Sequence, residues 1–271
     1  MRRAGYLLLA ACAAVAPSCT GPAGSGQKSV APSSSSSSVT AAAKVTATAT
    51  VTAVPVAPDP RVGAIFLGGQ SLHACTGSVL HSTTGDLILT AAHCMADGID
   101  ASFVPAFAES AEPQDFWHID AVYLDPRWVA TQSPLADFAV ARVSRPDGGS
   151  VEAAVGGGLT IGSSPPVGTD VVVTGYALGV GGPPVGCTAH MAALERGYPS
   201  IRCAGLVDGT SGAPWLSAST VVGITGGLEG GGCEENVSYT PPFGDAIKQL
   251  IERAEARGPG DDAPSAFEDD C

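Results

Sequence analysis

Short apolar runs rich in β-branched residues recur along the middle of the chain, each closed by a turn cluster: Val62–Leu67, Leu87–Ala92, Phe138–Val143, Val171–Tyr176 and Val221–Thr225. Runs of this length, bounded by Gly, Pro, Asp and Ser, predict strands rather than helices. One segment breaks the pattern. Phe243, Ile247, Leu250, Ile251 and Ala254 fall at helical spacing, so Asp245–Arg257 is predicted as an amphipathic helix. Many strands and one terminal helix describe an all-β sandwich or a pair of barrels. The folded region is expected at 59–257, and the turn-rich stretch Ser144–Ser150 is a natural connector between halves at about 59–145 and 150–257.

The flanks are patterned differently. Arg2 and Arg3 precede an apolar stretch from Ala4 to Ala16 that ends in small residues. A charged start, a short apolar core and a small-residue end predict an export signal over residues 1–18. Ala-Pro-Ser before Cys19 loosely resembles a lipoprotein processing box, which leaves free secretion and lipid anchoring at Cys19 both open. Residues 19–58 hold the serine run Ser33–Ser38 and repeated Thr, Ala and Val, and are expected to be a disordered linker. The alternating Thr-Val stretch from Val45 to Val54 has strand character but no evident partner. Residues 258–271 carry Asp261, Asp262, Glu268, Asp269 and Asp270 and no basic residue, the pattern of a solvated acidic tail.

Composition narrows the function. With 35 glycines, 21 prolines and only 14% charged residues, the chain is turn-dense and unlike a coiled coil or helical bundle. Its 13 Lys and Arg against 26 Asp and Glu give a formal charge of −13. No basic stripe exists to displace phosphate counterions, so nucleic acid is not an expected partner. Beyond residue 20 no apolar run approaches the roughly 20 residues of a membrane helix. Membrane contact is expected only through a lipid on Cys19, and a monomer is expected.

Three short segments carry candidate chemistry. In Leu89-Thr90-Ala91-Ala92-His93-Cys94 a histidine follows small residues at the end of an apolar strand. In Asp137-Phe138-Ala139-Val140 an acid heads another. In Gly209-Thr210-Ser211-Gly212-Ala213-Pro214 a serine sits among glycines in a tight loop. Singly, each has a dull explanation: a packed histidine, a turn aspartate, a plain loop. Together they supply a nucleophile, a base and a group to orient the base. A serine hydroxyl needs an imidazole to take its proton, and the imidazole needs a buried carboxylate on its other nitrogen. The glycines let the N–H groups of Gly209 and Ser211 converge as an oxyanion hole.

The conjunction resembles the chymotrypsin/trypsin-like serine peptidases, where the order is His, Asp, Ser and the histidine motif reads Thr-Ala-Ala-His-Cys, as at Thr90–Cys94. The resemblance extends to Cys75-Thr76-Gly77-Ser78-Val79 and to the strand Gly168–Tyr176. It implies two six-stranded antiparallel Greek-key barrels with a C-terminal helix, no cofactor, and a cleft between the barrels. It also implies His93 as general base, Asp137 as orienting acid and Ser211 as nucleophile, acting on protein or peptide substrates. By the same likeness Cys75 pairs with Cys94. Cys187 with Cys203 is the second expected pair, while Cys233 is left to Cys271 or to Cys203. Thr225, Gly226 and Gly227 resemble the strand that binds the substrate backbone, with Thr225 near the acid, and Gly205 stands six residues before the serine at the floor of the specificity pocket. Export and a cell-surface or secreted location fit such bridges.

Other hydrolases fit less well. An α/β-hydrolase needs its histidine after the serine, and none follows Ser211. His93 lacks the surroundings of subtilisin-like enzymes, and no two histidines stand at His-x-x-x-His spacing for a metal. The remaining alternative is a protease-like binding or adhesion module without turnover. The chain also departs from the family. Thr210 replaces the usual aspartate before the nucleophile, Ala213 replaces a glycine, and Arg61-Val62-Gly63-Ala64 lacks the familiar Ile-Val-Gly-Gly start. Activity without an amine-to-carboxylate switch is therefore expected. Gly205 offers no acid for Lys or Arg, and Gly226 replaces a large aromatic.

Overall fold

The computed structural model describes residues 51–234 and 236–265. The expected export signal, Cys19, most of the linker and residues 266–271 lie outside the described residues. The first described residues already form strands. β1 (Val51–Thr52) runs parallel to Cys203–Ala204, and β2 (Val54–Pro55) pairs antiparallel with Val185–Gly186. Val51–Pro55, expected to belong to a disordered linker, are thus paired into strands. The strand character of the Thr-Val repeat was visible, but its partners lie far along the chain, where local pattern cannot find them.

Six strands close the first barrel: β3 (Val62–Leu67), β4 (His73–Val79), β5 (Leu87–Thr90), β6 (Ala101–Pro105), β7 (Trp117–Leu124) and β8 (Ala139–Ser144), in the order β3-β4-β5-β8-β7-β6. Their inward side chains, among them Ile65, Leu87, Leu89, Phe103, Trp117 and Val140, form the main core. Gly63 admits this packing, since a Cβ there would lie 2.3 Å from the Val104 carbonyl oxygen.

The second half is built from β9 (Thr160–Ile161), β10 (Asp170–Gly175), β11 (Val185–His190), β12 (Ser200–Ile201), β13 (Cys203–Ala204), β14 (Pro214–Ser217), β15 (Thr220–Ile224) and β16 (Ser238–Tyr239). With β2 they make a six-stranded sheet in the order β2-β11-β10-β14-β15-β9. The two-residue strands β12 and β16 pair separately, as do β1 and β13. Among the described residues no ladder closes this half into a ring, unlike the first. Val171, Val173, Ile201, Trp215 and Val222 form its core.

Two short helices, α1 (Pro126–Thr131) and α2 (Val151–Ala154), lie in connections, and α3 (Asp245–Glu255) is the predicted terminal helix. α3 buries Ile247, Leu250 and Ala254 in the first barrel's core, with Phe243 edge-on to Phe138 at 6.2 Å. No described helix is long and apolar enough to cross a membrane.

The chain beyond α3 differs from the expected solvated tail. Asp261 donates its N–H to the Val122 carbonyl at 2.8 Å, accepts from the Leu124 N–H at 2.7 Å, and pairs with Arg253 at 2.7 Å. Tyr123 Oη donates to the Gly258 carbonyl at 2.8 Å. Net charge alone missed this. One of the acids has a guanidinium and a strand N–H waiting for it.

Candidate active site

Strand register assembles the first two members. Thr90 pairs with Ala139 at the end of the antiparallel β5–β8 ladder. The residues just past β5 and just before β8 therefore emerge at one end of the barrel. His93 lies in the 3-10 turn Ala92–Cys94, and Asp137 follows the turn Pro134–Ala136. Their side chains meet, with Nδ1 of His93 2.8 Å from Oδ2 of Asp137.

Asp137 is fully buried and accepts two further bonds. The His93 N–H reaches Oδ1 at 2.9 Å and the Gly227 N–H reaches Oδ2 at 2.7 Å. Burial alone would raise its pKa. The neighbouring imidazole and the N–H donors outweigh that and hold the carboxyl below its ordinary value. An ionised Asp137 keeps the proton on His93 Nδ1 and leaves Nε2 as the basic nitrogen. His81 and His118 pair instead with carboxylates near the surface, and His73 is packed among Phe66, Phe107 and Tyr176.

Ser211 comes from the loop between β13 and β14. Gly209 and Gly212 on either side have φ of 90° and 82°, which favour glycine. Neither position has room for a side chain: a Cβ on Gly209 would lie 2.2 Å from Leu178 N, and one on Gly212 would lie 2.2 Å from the Thr76 carbonyl oxygen. Thr210, just before Ser211, is buried, and its N–H and hydroxyl both donate to the Val207 carbonyl, at 3.0 and 2.7 Å. In place of the aspartate that the family resemblance would put there, Thr210 ties this loop to itself. Thr76 of β4 links it to the first barrel, its N–H donating to the Ser211 carbonyl at 2.8 Å.

His93, Ser211 and Thr225 line one cleft of about 470 Å³, together with Leu178, Leu206 and Glu229. The other expected substrate-contact residues differ. Gly205 does not line this cleft; it sits beside Ala53, and Leu206 faces the cavity instead. The N–H of Gly226 donates to the Tyr239 carbonyl at 3.1 Å and that of Gly227 to Asp137, so both N–H groups are taken within the chain. The Thr225 hydroxyl accepts from Trp215 Nε1 at 3.2 Å. The reason is local. Without side chains at 226 and 227 the backbone closes onto the carboxylate, and a Cβ on Gly226 would lie 3.0 Å from Asp137 Oδ2. The third donor to the acid was thus missed by the sequence reading, although the paired glycines where an aromatic is usual were its signal.

Cys75 is bonded to Cys94, directly beside His93, and Cys187 to Cys203. Cys233 is also disulfide-bonded. Cys203 is taken, and Cys271, its other expected partner, lies outside the described residues. The sulfurs of Cys75 and Cys94 lie near His93 in a grouping of metal-ligand type. Both are spent in the bridge, so the donor set does not fit an ion.

A family profile described as the trypsin-like peptidase domain matches residues 75–224. None of the curated proteins matches the chain. Among solved structures, the protease Anisep from Arthrobacter nicotinovorans is similar at 23% identity and a TM-score of 0.64, over 74% of this chain and 98% of that one. A thermostable serine protease, AL20, from an extremophilic microorganism is 21% identical with a TM-score of 0.63, covering 74% and 99%. A Glu endopeptidase is 19% identical with a TM-score of 0.60, covering 76% and 97%. With the His, Asp and Ser motifs in family order on an all-β framework, the chain belongs to the trypsin-like peptidases, the chymotrypsin-like serine proteases.

Proposed function

We propose that this protein is an exported serine endopeptidase, secreted or held at the cell surface through Cys19, that cleaves peptide bonds through an acyl-enzyme. The observation that carries the reading is the bond from His93 to the buried Asp137, with His93 and Ser211 lining one cleft. Ser211 Oγ attacks the scissile carbonyl carbon while His93 Nε2 takes the hydroxyl proton. The carbonyl oxygen becomes an oxyanion facing the N–H groups of Gly209 and Ser211. On collapse the C–N bond breaks, and His93 returns its proton to the leaving amine. Water, deprotonated by the same imidazole, then releases the acyl group as a carboxylic acid. Asp137 stays ionised throughout, stabilising the imidazolium.

A fluorophosphonate probe tests this without any guess about substrate. The folded wild type is expected to be labelled on Ser211 and Ser211→Ala to stay blank. A folded, disulfide-bonded wild type that takes no label would overturn the reading in favour of a binding module.

Cleavage after Arg61 is not expected to be needed. Val62 is fully buried within β3, its N–H donates to the Asp59 carbonyl at 3.0 Å, and Thr210 ties the nucleophile loop locally. Protein shown by mass spectrometry to have an intact Arg61–Val62 bond should label at the full rate, and so should Arg61→Gln. Labelling that appears only after that bond is cut would refute independence from activation.

A further inference from the structure

Thr76 is fully buried and uses every polar group it has. Its N–H donates to the Ser211 carbonyl at 2.8 Å, and its hydroxyl donates to the Gly209 carbonyl at 3.0 Å. The same hydroxyl oxygen accepts from the Tyr176 N–H at 2.9 Å, while the Thr76 carbonyl accepts from the Thr90 hydroxyl at 2.8 Å. One residue of β4 thus joins the nucleophile loop, the end of β10 and the strand that leads to His93. It also neighbours the bridged Cys75.

Peptide planarity gives these bonds a directional consequence. In a trans peptide the C=O of one residue and the N–H of the next point in opposite directions, so fixing one aims the other. The Asp208 carbonyl is held by the Leu178 N–H at 2.7 Å, which turns the Gly209 N–H the other way. The Gly209 and Ser211 carbonyls are each held by Thr76. Thr76 thus supplies two pins, on the peptides that follow Gly209 and Ser211, the first of which lies between the two donor peptides, and the Leu178 bond supplies a third; the Thr210 carbonyl, which shares its peptide with the Ser211 N–H, is held within the loop by the Ala213 N–H at 2.9 Å. Tyr176, whose N–H rests on the Thr76 hydroxyl, lies two residues before Leu178, so the third pin leans on the same side chain.

We propose that the Thr76 hydroxyl is a positioning group for the oxyanion hole, setting the aim of the Gly209 and Ser211 N–H groups without touching substrate. This rests on the serine-peptidase reading above. It concerns the transition state rather than the ground state, because aimed donors count most where charge develops.

Thr76→Val keeps the volume and the methyl group and removes only the hydroxyl. The Gly209 carbonyl and the Tyr176 N–H are then left facing hydrocarbon, and the loop relaxes to satisfy them elsewhere. Loss of an oxyanion donor outright costs about 10²- to 10³-fold, so misaiming is expected to cost roughly 10- to 100-fold.

The probe is a fluorophosphonate, read as separate values of its saturating labelling rate and its half-saturation concentration. Labelling forms the Ser211 Oγ–P bond, expels fluoride and passes the hydroxyl proton to His93, with the phosphoryl oxygen in the place of the oxyanion. Thr76→Val should lower the saturating rate by that factor and change half-saturation by less than about threefold. Thr76→Ser, which restores the hydroxyl, should recover most of the rate. A purely structural role would lower the melting temperature but leave the rate at 25 °C unchanged, and that result would overturn the proposal. So would Thr76→Ser being as slow as Thr76→Val. If Thr76→Val fails to fold, Thr76→Ala against Thr76→Ser makes the same comparison with less crowding, and equal rates for the two overturn the idea. An unlabelled wild type would instead remove the serine-peptidase reading itself.

Discussion

Asp137→Asn is expected to lower kcat about 10⁴-fold on any peptide that the wild type cleaves. Both carboxylate oxygens of Asp137 are acceptors, Oδ1 for the His93 N–H and Oδ2 for His93 Nδ1 and the Gly227 N–H. An asparagine amide must place its NH₂ at one of these positions. At Oδ1 it opposes the His93 N–H. At Oδ2 it opposes the Gly227 N–H and drives His93 to the tautomer whose Nδ1 accepts, so that Nε2 carries the proton and cannot act as a base. Either orientation also leaves a buried donor facing a donor, costing on the order of 2 kcal/mol of stability.

The stability part has a defined pH dependence. Asp137 has its folded pKa held below the unfolded value of 3.8. Its contribution is therefore fully present above that value and is lost as pH falls through the lower folded value. The stability gap between wild type and Asp137→Asn should be widest near neutrality and shrink below about pH 4. Steady-state kinetics together with denaturant titrations across pH check both parts. A variant within tenfold of wild-type kcat would show that the imidazole needs no carboxylate to orient it.

Replacing both cysteines of the Cys75–Cys94 bridge with alanine should cost about 3 kcal/mol, since the bond closes a loop with a sequence separation of 19. For a domain of this size that is roughly 6–12 °C in Tm. Alanine is the informative substitution because both sulfurs are buried, and serine would add an unsatisfied hydroxyl in the same place. The effect should reach the site as well. Without the bridge, the turn that presents His93 is held by the Cys94 N–H to the Ala91 carbonyl at 3.3 Å, the Met95 N–H to the Ala92 carbonyl at 3.0 Å, and the bonds to Asp137. Thermal unfolding monitored beside fluorophosphonate labelling separates the two losses. A change below about 1 kcal/mol would mean that packing alone fixes this turn.

The candidate site was legible in the sequence because the demands of the proposed chemistry are local. A base must follow a strand within a few residues, an acid must precede one, and a nucleophile needs glycines beside it. His93, Asp137 and Ser211 each sit in such a segment; the Cys75–Cys94 bridge followed from family likeness, and Cys187–Cys203 was expected from its place just before the serine loop. What escaped depends on contacts between distant segments. The Gly227 bond to Asp137 and the Thr76 bonds to Gly209 and Ser211 are made by groups that composition cannot distinguish from ordinary strand and loop residues. The same holds for β1 and β2, whose partners are the distant strands β13 and β11, and for Asp261, read as one charge among several until Arg253 and Leu124 are seen beside it.

The strands at the amino-terminal end carry a mechanical meaning. β1 lies along β13 and β2 along β11, and the Ala53 N–H between them donates to the Ala204 carbonyl at 2.7 Å. Any tension applied through the preceding residues is first borne by these ladders, loaded in shear along the strand direction. Because Cys203 is bridged to Cys187, the load passes into a covalent cross-tie two strands wide before it reaches the loop that bears Ser211.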